Sequence, residues 1–435
     1  MRSVLSPILA FLMLFFSCSK DSITTETPDD SSEQPTKPNI LLIIADDMGL
    51  DATPGYNVGS IKPTMPNLQN MISNGVRFEN LWSYPTCTPT RSSILTGKHG
   101  FRTGVLKVDD ELSTSETSLQ QYLKSSTTDY SSAVVGKWHL SRDASHPNDL
   151  GVDYYAGLLN GAVTSYWDWT LTENGVQSNS TEYTTTKFTD LAIDWIKDQD
   201  SPWFLWLAYN APHTPFHLPP AELHSQGSLP SDQASVDANP MPYYMAMLEA
   251  MDTEIGRLLN SMSDEEKDNT VIIFIGDNGT PNQVAQDYRS RRVKGTVYQG
   301  GVNVPMIISG KNVNRFNETE SALVNTTDLF ATIANIAEVN VSNINDSYNF
   351  WSLVSTSSKI RDYAYTEVGK DTGPEDITIR NEEYKYILFS DGSEGFYNVA
   401  NDFFETTNLL DQLPLNANEE AVLNELKDAI TNLKN

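Results

Sequence analysis

Five short runs do most to limit what this chain can fold into: NILLIIADD (39–47), SSAVVGKWH (131–139), PWFLWLAYNAPH (202–213), TVIIFIGDNG (270–279) and VPMIISG (304–310). Each is a nearly unbroken series of branched aliphatic and aromatic residues. That is the pattern of strands covered on both faces, as in a parallel sheet, and not the alternation of a strand with one wet face. Between them lie stretches with apolar residues at helical spacing: MPNLQNMISNGVRF (65–78), TTTKFTDLAIDWIKDQ (184–199) and YYMAMLEAMDTEIGRLLNSM (243–262). The alternation predicts an α/β fold, a large and mostly parallel sheet sandwiched by helices.

The polar residues that end these runs are the second constraint. The first run closes on Asp46-Asp47, the second on Lys137 and His139, the third on His213 with His217 four residues on, and the fourth on Asp277-Asn278. Open α/β sheets place their ligand crevice at the carboxyl ends of strands. An Asp or Asn after a strand is commonly a turn or helix cap, but capping does not explain the coincidence on four strands. Asp46, Asp47, Asp277 and Asn278 offer only oxygen, a donor set for a hard cation, Ca²⁺ or Mg²⁺, and not for zinc. Carboxylates so gathered repel one another unless cations join them. Arg91, Lys137, the histidines and Lys294 add positive charge, which points to an anionic tetrahedral group such as phosphate or sulfate.

The whole chain carries 57 acidic and 29 basic residues, a formal charge of −28. Such a surface repels nucleic acid and excludes it as a partner. An anionic substrate then needs a local basic exception, and RSRRVKG (289–295) is one. At the amino end, Arg2, the apolar run Val4–Phe16 and Ser17-Cys18 read as a signal peptide over 1–17 of the lipoprotein type, with Cys18 as lipidation site. An ordinary secreted chain is the alternative. Residues 18–37, rich in Ser, Thr, Asp and Pro, read as a flexible tether. The expected location is outside the cytoplasm, lipid-anchored at the cell envelope or secreted, with membrane contact only through the anchor. Lipidation of Cys18 leaves Cys87 without a partner, in a polar, proline-bearing stretch, and the metal constellation still lacks a nucleophile.

Cys87-Thr88-Pro89-Thr90-Arg91, continued as SSILTGKHGFRTG, resembles the signature of type I sulfatases, formylglycine-dependent members of the alkaline phosphatase superfamily. PNILLIIADDMG, GKWHL, APHTPFH, GDNG and KGTVYQGGVNVPMI occur in that family's order, so the resemblance runs from about Lys37 to Leu410. It implies that a maturation enzyme oxidises Cys87 to formylglycine, whose hydrated aldehyde attacks sulfur. It implies that Asp46, Asp47, Asp277 and Asn278 hold Ca²⁺ together with the modified Cys87, and that Arg91 steadies this centre. Lys137 and His139 are implied to orient the nucleophile and the sulfate. His213 and Lys294 are implied to bind sulfate, one of them protonating the leaving oxygen. Ser141 stands where the family has Gly. His217, Arg142 and Arg292 are candidate substrate contacts, as are Arg289, Arg291, His99 and Arg102, with structural or surface roles as alternatives.

From Glu375 on, strand-like segments separated by turns at Asn381-Glu382 and Asp391-Gly392 lead to a helical pattern over 416–435. The resemblance implies a small C-terminal antiparallel sheet plus helix, with a catalytic domain over 38–345 and a subdomain over 346–435. The leading expectation is an exported sulfuric ester hydrolase acting on sulfated oligosaccharides or polysaccharides, such as ulvan, carrageenan, fucoidan or glycosaminoglycans. A phosphodiesterase or phosphonate monoester hydrolase of the same superfamily is the alternative, and a non-catalytic glycan-binding lipoprotein the remote one.

Overall fold

The NILLIIA run lies at the centre of the main sheet, and its two faces feed two separate cores. Leu41, Ile43 and Ala45 pack on one side, while Ile40, Leu42 and Ile44 pack on the other. A strand covered twice has no position for a polar residue, which is why the run is unbroken. The computed structural model describes residues 37–126 and 130–435. The leader, Cys18 and the tether up to residue 36 lie outside the described residues.

The main sheet has eleven strands. In chain order they are β1 (Asn39–Ala45), β2 (Gly75–Trp82), β3 (Ser131–Lys137), β4 (Tyr154–Leu158), β5 (Trp169–Glu173), β6 (Val176–Ser180), β7 (Trp203–Tyr209), β8 (Thr270–Gly276), β9 (Asn303–Gly310), β10 (Glu318–Glu320) and β11 (Val324–Asn325). Across the sheet they run β10-β2-β9-β8-β1-β7-β3-β4-β5-β6, with β11 also on β2. β8, β1, β7, β3 and β4 are mutually parallel. Ala45 is in register with Tyr209 on one side and Gly276 on the other, so the residues that follow all three strands emerge together.

Two expectations need correction. The 304–310 run forms β9, but it is antiparallel to both β8 and β2. An apolar run reports burial on both faces and says nothing of direction. The helix expected over 65–78 is only Pro66–Ser73; Gly75 opens β2. The helical spacing carried on into VRF, whose residues instead pair with β9.

Helices Pro66–Ser73, Thr184–Lys197 and Met241–Ser261 supply Leu68, Phe188 and Met247 to the core on one face. Helices Cys87–Thr96, Leu119–Ser126 and Asp328–Ile336 cover the other. Beyond the main sheet, strands Ala364–Val368, Asp376–Arg380, Tyr384–Leu388 and Glu394–Asn398 form a four-stranded antiparallel sheet. The final helix, Ala417–Lys434, starts in a capping box between Asn416 and Glu419 and sets Leu423, Leu426 and Ile430 against that sheet. Residues 37–435 form one compact unit. Among the described residues, no helix is long and apolar enough to cross a membrane.

Candidate active site

β2 runs antiparallel to β9, which runs antiparallel to β8. Its carboxyl end therefore lies on the same edge as those of the parallel strands, and a fifth strand delivers chemistry there. After Trp82 the chain enters a ten-residue helix, Cys87–Thr96, every residue of which is buried. Its many hydroxyls tolerate burial because they bond locally: Thr90 Oγ1 donates to Thr86 O (3.1 Å) and Thr96 Oγ1 to Ser92 O (2.8 Å). Cys87 opens the helix, where the unpaired backbone N–H groups and the positive end of the helix dipole lie. Burial pushes the thiol pKa up, and the nearby Lys137 charge opposes that rise.

Around Cys87 stand three buried carboxylates. Asp47 has a left-handed backbone (φ 72°). Its N–H donates to Asp277 Oδ1 (3.0 Å), its carbonyl accepts from Tyr244 OH (2.8 Å), and its carboxylate accepts from Asn278 Nδ2 (2.8 Å) and Lys294 Nζ (2.6 Å). Lys137 Nζ donates to Asp46, and Arg91 donates to Asp277 Oδ2 (2.8 Å) and to Lys137 O (2.8 Å). Each of the three carboxylates thus has a basic partner: Lys137 at Asp46, Lys294 at Asp47 and Arg91 at Asp277.

Possible ligand atoms of Asp46, Cys87 and Asp277 lie within 4.8 Å of one another, as do those of Asp46, Asp47 and His213. Asp46 Oδ1 and Asn278 Oδ1 are buried with no hydrogen-bond partner. Orphaned buried oxygens are costly, and both belong to the all-oxygen set. Burial, and after it the Asp46 charge, pushes Asp277 up to about 7. Burial would also raise Asp46, but Lys137, then His213, Arg91 and Lys294, outweigh it and hold that group well below the usual carboxylate range. A hard divalent cation held by these oxygens would give both orphans a partner.

His139, also in a left-handed conformation (φ 57°), presents Nδ1 3.3 Å from Cys87 Sγ, and its Nε2 lies 2.9 Å from Asp109 Oδ1. Burial and then the Lys137 charge depress its pKa to about 3. His213 Nδ1–H donates to Thr214 O (2.8 Å), which leaves Nε2 to face the site, 3.7 Å from Asp47 Oδ2. A cavity of about 420 Å³ opens over Cys87, with His139, Arg142, Asn160, His213 and Lys294 in its walls.

Ten expected residues therefore meet at one place: Asp46, Asp47, Cys87, Arg91, Lys137, His139, His213, Asp277, Asn278 and Lys294. Arg142 stands exposed at the cavity wall, 3.3 Å from Asp109 Oδ2. Arg292 lies elsewhere: it donates to Glu405 O and stacks on Tyr298, 4.2 Å from the ring centre. His217 is held in an aromatic cluster, 4.1 Å from the Tyr166 ring centre, with Nδ1–H donating to Pro215 O and Tyr183 OH at Nε2. His99 is buried against Tyr84 OH, Arg102 pairs with Asp346, and Arg289 and Arg291 are exposed.

Asp109, Thr88, Tyr244 and Gly161 went unread in the sequence. Asp109 sits in a loop with no periodicity, and Tyr244 looks like one more apolar position of a long helix. Thr88 lies inside the recognised motif, yet only the fold shows its hydroxyl 3.3 Å from His139 Nε2.

The family model described as Sulfatase matches residues 38–339. Mouse arylsulfatase J is 28% identical over 366 residues, 76% of this chain and 58% of that protein. This chain thus matches little more than half the length of that relative. A sulfatase of Formosa agariphila is 26% identical over 90% of this chain and 87% of its own. The crystal structure of Ps i-CgsB in complex with k-i-k-neocarrahexaose superposes with a TM-score of 0.78 at 23% identity, covering 92% of this chain and 93% of that one.

Proposed function

This chain belongs to the sulfatase family, and from that premise we propose that it is a sulfuric ester hydrolase acting on a sulfated carbohydrate. The observation that carries the reading is the cluster itself. Cys87 at a helix N-terminus meets three buried carboxylates, two orphaned oxygens and four or more cationic groups at one sheet edge. Asp46, Asp47, Asp277 and Asn278, with the side chain at position 87, would hold the divalent cation, Ca²⁺ ahead of Mg²⁺. When bound, that ion supplies Lewis-acid stabilisation of charge on the transferring group.

As a buried thiol with a raised pKa, Cys87 is a poor nucleophile. We read it as the precursor of formylglycine, made by a maturation enzyme. Around it the chain's own groups divide the work. Arg91 and Lys137, both fully buried and bonded to carboxylates, fix the cluster's geometry. His139 is held neutral and anchored by Asp109, so its Nδ1 can accept a hydrogen bond from the nucleophilic hydroxyl and orient it. Lys294 and His213 face the cavity, bind the sulfate oxygens, and one of them protonates the departing alcohol. The k-i-k-neocarrahexaose in the Ps i-CgsB complex, a protein of the same fold, supports a glycan fragment as substrate. Export, lipid anchoring of Cys18 and sugar identity, ulvan included, belong to the same proposal.

The test is the mass of the tryptic peptide Phe78–Arg91 from protein purified from its own host, beside sulfate release from a panel of sulfated oligosaccharides with and without EDTA. We expect the thiol exchanged for a hydrazide-reactive aldehyde, and chelatable sulfate release without phosphate-ester activity of similar size. An unmodified thiol throughout, with no sulfate released, would sink the reading.

A further inference from the structure

The cavity over Cys87 is not the end of the concave surface. Arg142, Asn160 and Ala162 line it and also line a second depression of about 370 Å³. The two adjoin along these residues, and each volume lies within the roughly 300–1,000 Å³ of small-molecule sites. Beyond the junction the wall is the β5–β6 hairpin, which presents Thr170, Gln177 and Asn179. β6 reads Val-Gln-Ser-Asn-Ser and is exposed at its first four positions. It adds nothing to either core, since it is a sheet edge whose side chains, Val176 apart, are hydroxyls and amides. Such groups donate and accept at once, the chemistry that matches a sugar's hydroxyls.

Charge narrows the occupant. Arg142 is the only basic residue lining the groove among the described residues, and its side chain is 76% exposed. Asp168 lines the same groove and Asp109 stands beside Arg142. On a chain of formal charge −28, a densely sulfated strand would be repelled here, while one anionic group at the arginine would be welcomed.

Resting on the sulfatase reading above, we propose that this groove is a subsite for the sugar next to the one that loses sulfate. Arg142 receives a single anionic group on that neighbour, a sulfate or a uronate carboxylate, and the β5–β6 hairpin binds its hydroxyls. The substrate is then an oligosaccharide of low sulfate density, and not a lone monosaccharide sulfate.

Full-length Cys87→Ala protein, which cannot turn over, allows the test by calorimetric titration. The probes are tetrasaccharides from iota-carrageenan, chondroitin 4-sulfate and a fucan bearing one sulfate on each sugar, each beside its own monosaccharide sulfate. At least one tetrasaccharide should bind ten times more tightly than its monosaccharide or better. Arg142→Gln, and separately the pair Gln177→Ala with Asn179→Ala, should each erase most of that gain. A preferred carrageenan or fucan probe assigns the arginine's partner as sulfate, and a preferred chondroitin probe as carboxylate. No gain for any tetrasaccharide, or a gain that survives both sets of substitutions, overturns the subsite. Sulfate release from the preferred tetrasaccharide by the native protein is measured separately. Its failure with the binding gain intact would count against the hydrolase reading and leave the groove standing.

Discussion

Gly161 stands where a side chain has no room. A Cβ built there would lie 2.3 Å from His139 Cε1 and 2.4 Å from Nε2, well inside contact distance. The obstacle is a ring fixed by Asp109 and Cys87, so it yields only by leaving its place. Gly161→Ala should therefore lower kcat/KM by about 10- to 100-fold through misplacement of His139, with Tm little changed because the loop carries no core. Native turnover in that variant would show that the imidazole position is not critical. Two other histidines bear on stability. Burial depresses His99 to about 3 and His217 to about 4, both below the unfolded 6.5. Below pH 6.5 the unfolded chain binds more protons than the folded one, so stability is complete above that pH and is lost as pH falls through 4 toward 3. Each imidazole contributes on the order of 3 kcal/mol to this loss. Tm measured between pH 7 and 4 should fall steeply, and His217→Gln should flatten the slope. At this scale the sequence was most legible where chemistry and position coincided. Asp46, Lys137, His213 and Asp277 could be read because each ends or follows an unmistakable strand. Asp109 and Gly161 could not, because loop residues meet His139 only through tertiary approach.

Among the elements, the Cys87 helix depends most on its ends. It stops at Gly97, whose backbone is left-handed (φ 65°) and whose N–H bonds to Ser93 O (2.9 Å). A Cβ at that position would meet Phe330 at 3.0 Å and Ser347 at 3.2 Å. Gly97→Ala should cost about 1–2 kcal/mol, from the left-handed conformation and crowding together, read as a lowered urea midpoint with unchanged slope. A neutral result would mean the helix end relaxes freely. The same stretch shows why elements were only partly legible. The five apolar runs all became strands, since nothing else buries so many branched side chains in so few residues. β2 was harder: its exposed Glu79 and part-buried Arg77 broke the apolar run, and the preceding helical spacing ran into it. β9 looked like its parallel neighbours because two-sided burial imposes the same composition whichever way a strand runs.

At the scale of the whole molecule, the C-terminal sheet reaches into the active site through one buried pair. Lys385, on strand Tyr384–Leu388, lies 2.6 Å from Glu405 and donates to Val297 O (2.7 Å). Its ammonium also sits 4.9 Å from the Trp82 ring centre. Glu405 in turn accepts from Gln299 N (2.7 Å), and Gln299 Oε1 accepts from Trp82 Nε1 (3.0 Å). The segment so held carries Lys294 three residues before Val297, and Trp82 ends the strand that leads to Cys87. Both ends of the candidate cluster are therefore braced from the C-terminal sheet, a coupling that no local pattern in the sequence announces. Lys385 and Glu405 are almost wholly buried, so removing one partner strands a charge. Lys385→Met alone should destabilise the protein by about 3–5 kcal/mol, whereas adding Glu405→Gln should restore a good part of that loss. Denaturant unfolding of the two single variants and the double variant closes the cycle. If the brace also sets Lys294, kcat/KM of the folded Lys385→Met protein should fall with KM rising, and the double variant should stay impaired although its stability returns. Activity that recovers in step with stability would assign the pair to folding alone and separate the C-terminal sheet from catalysis.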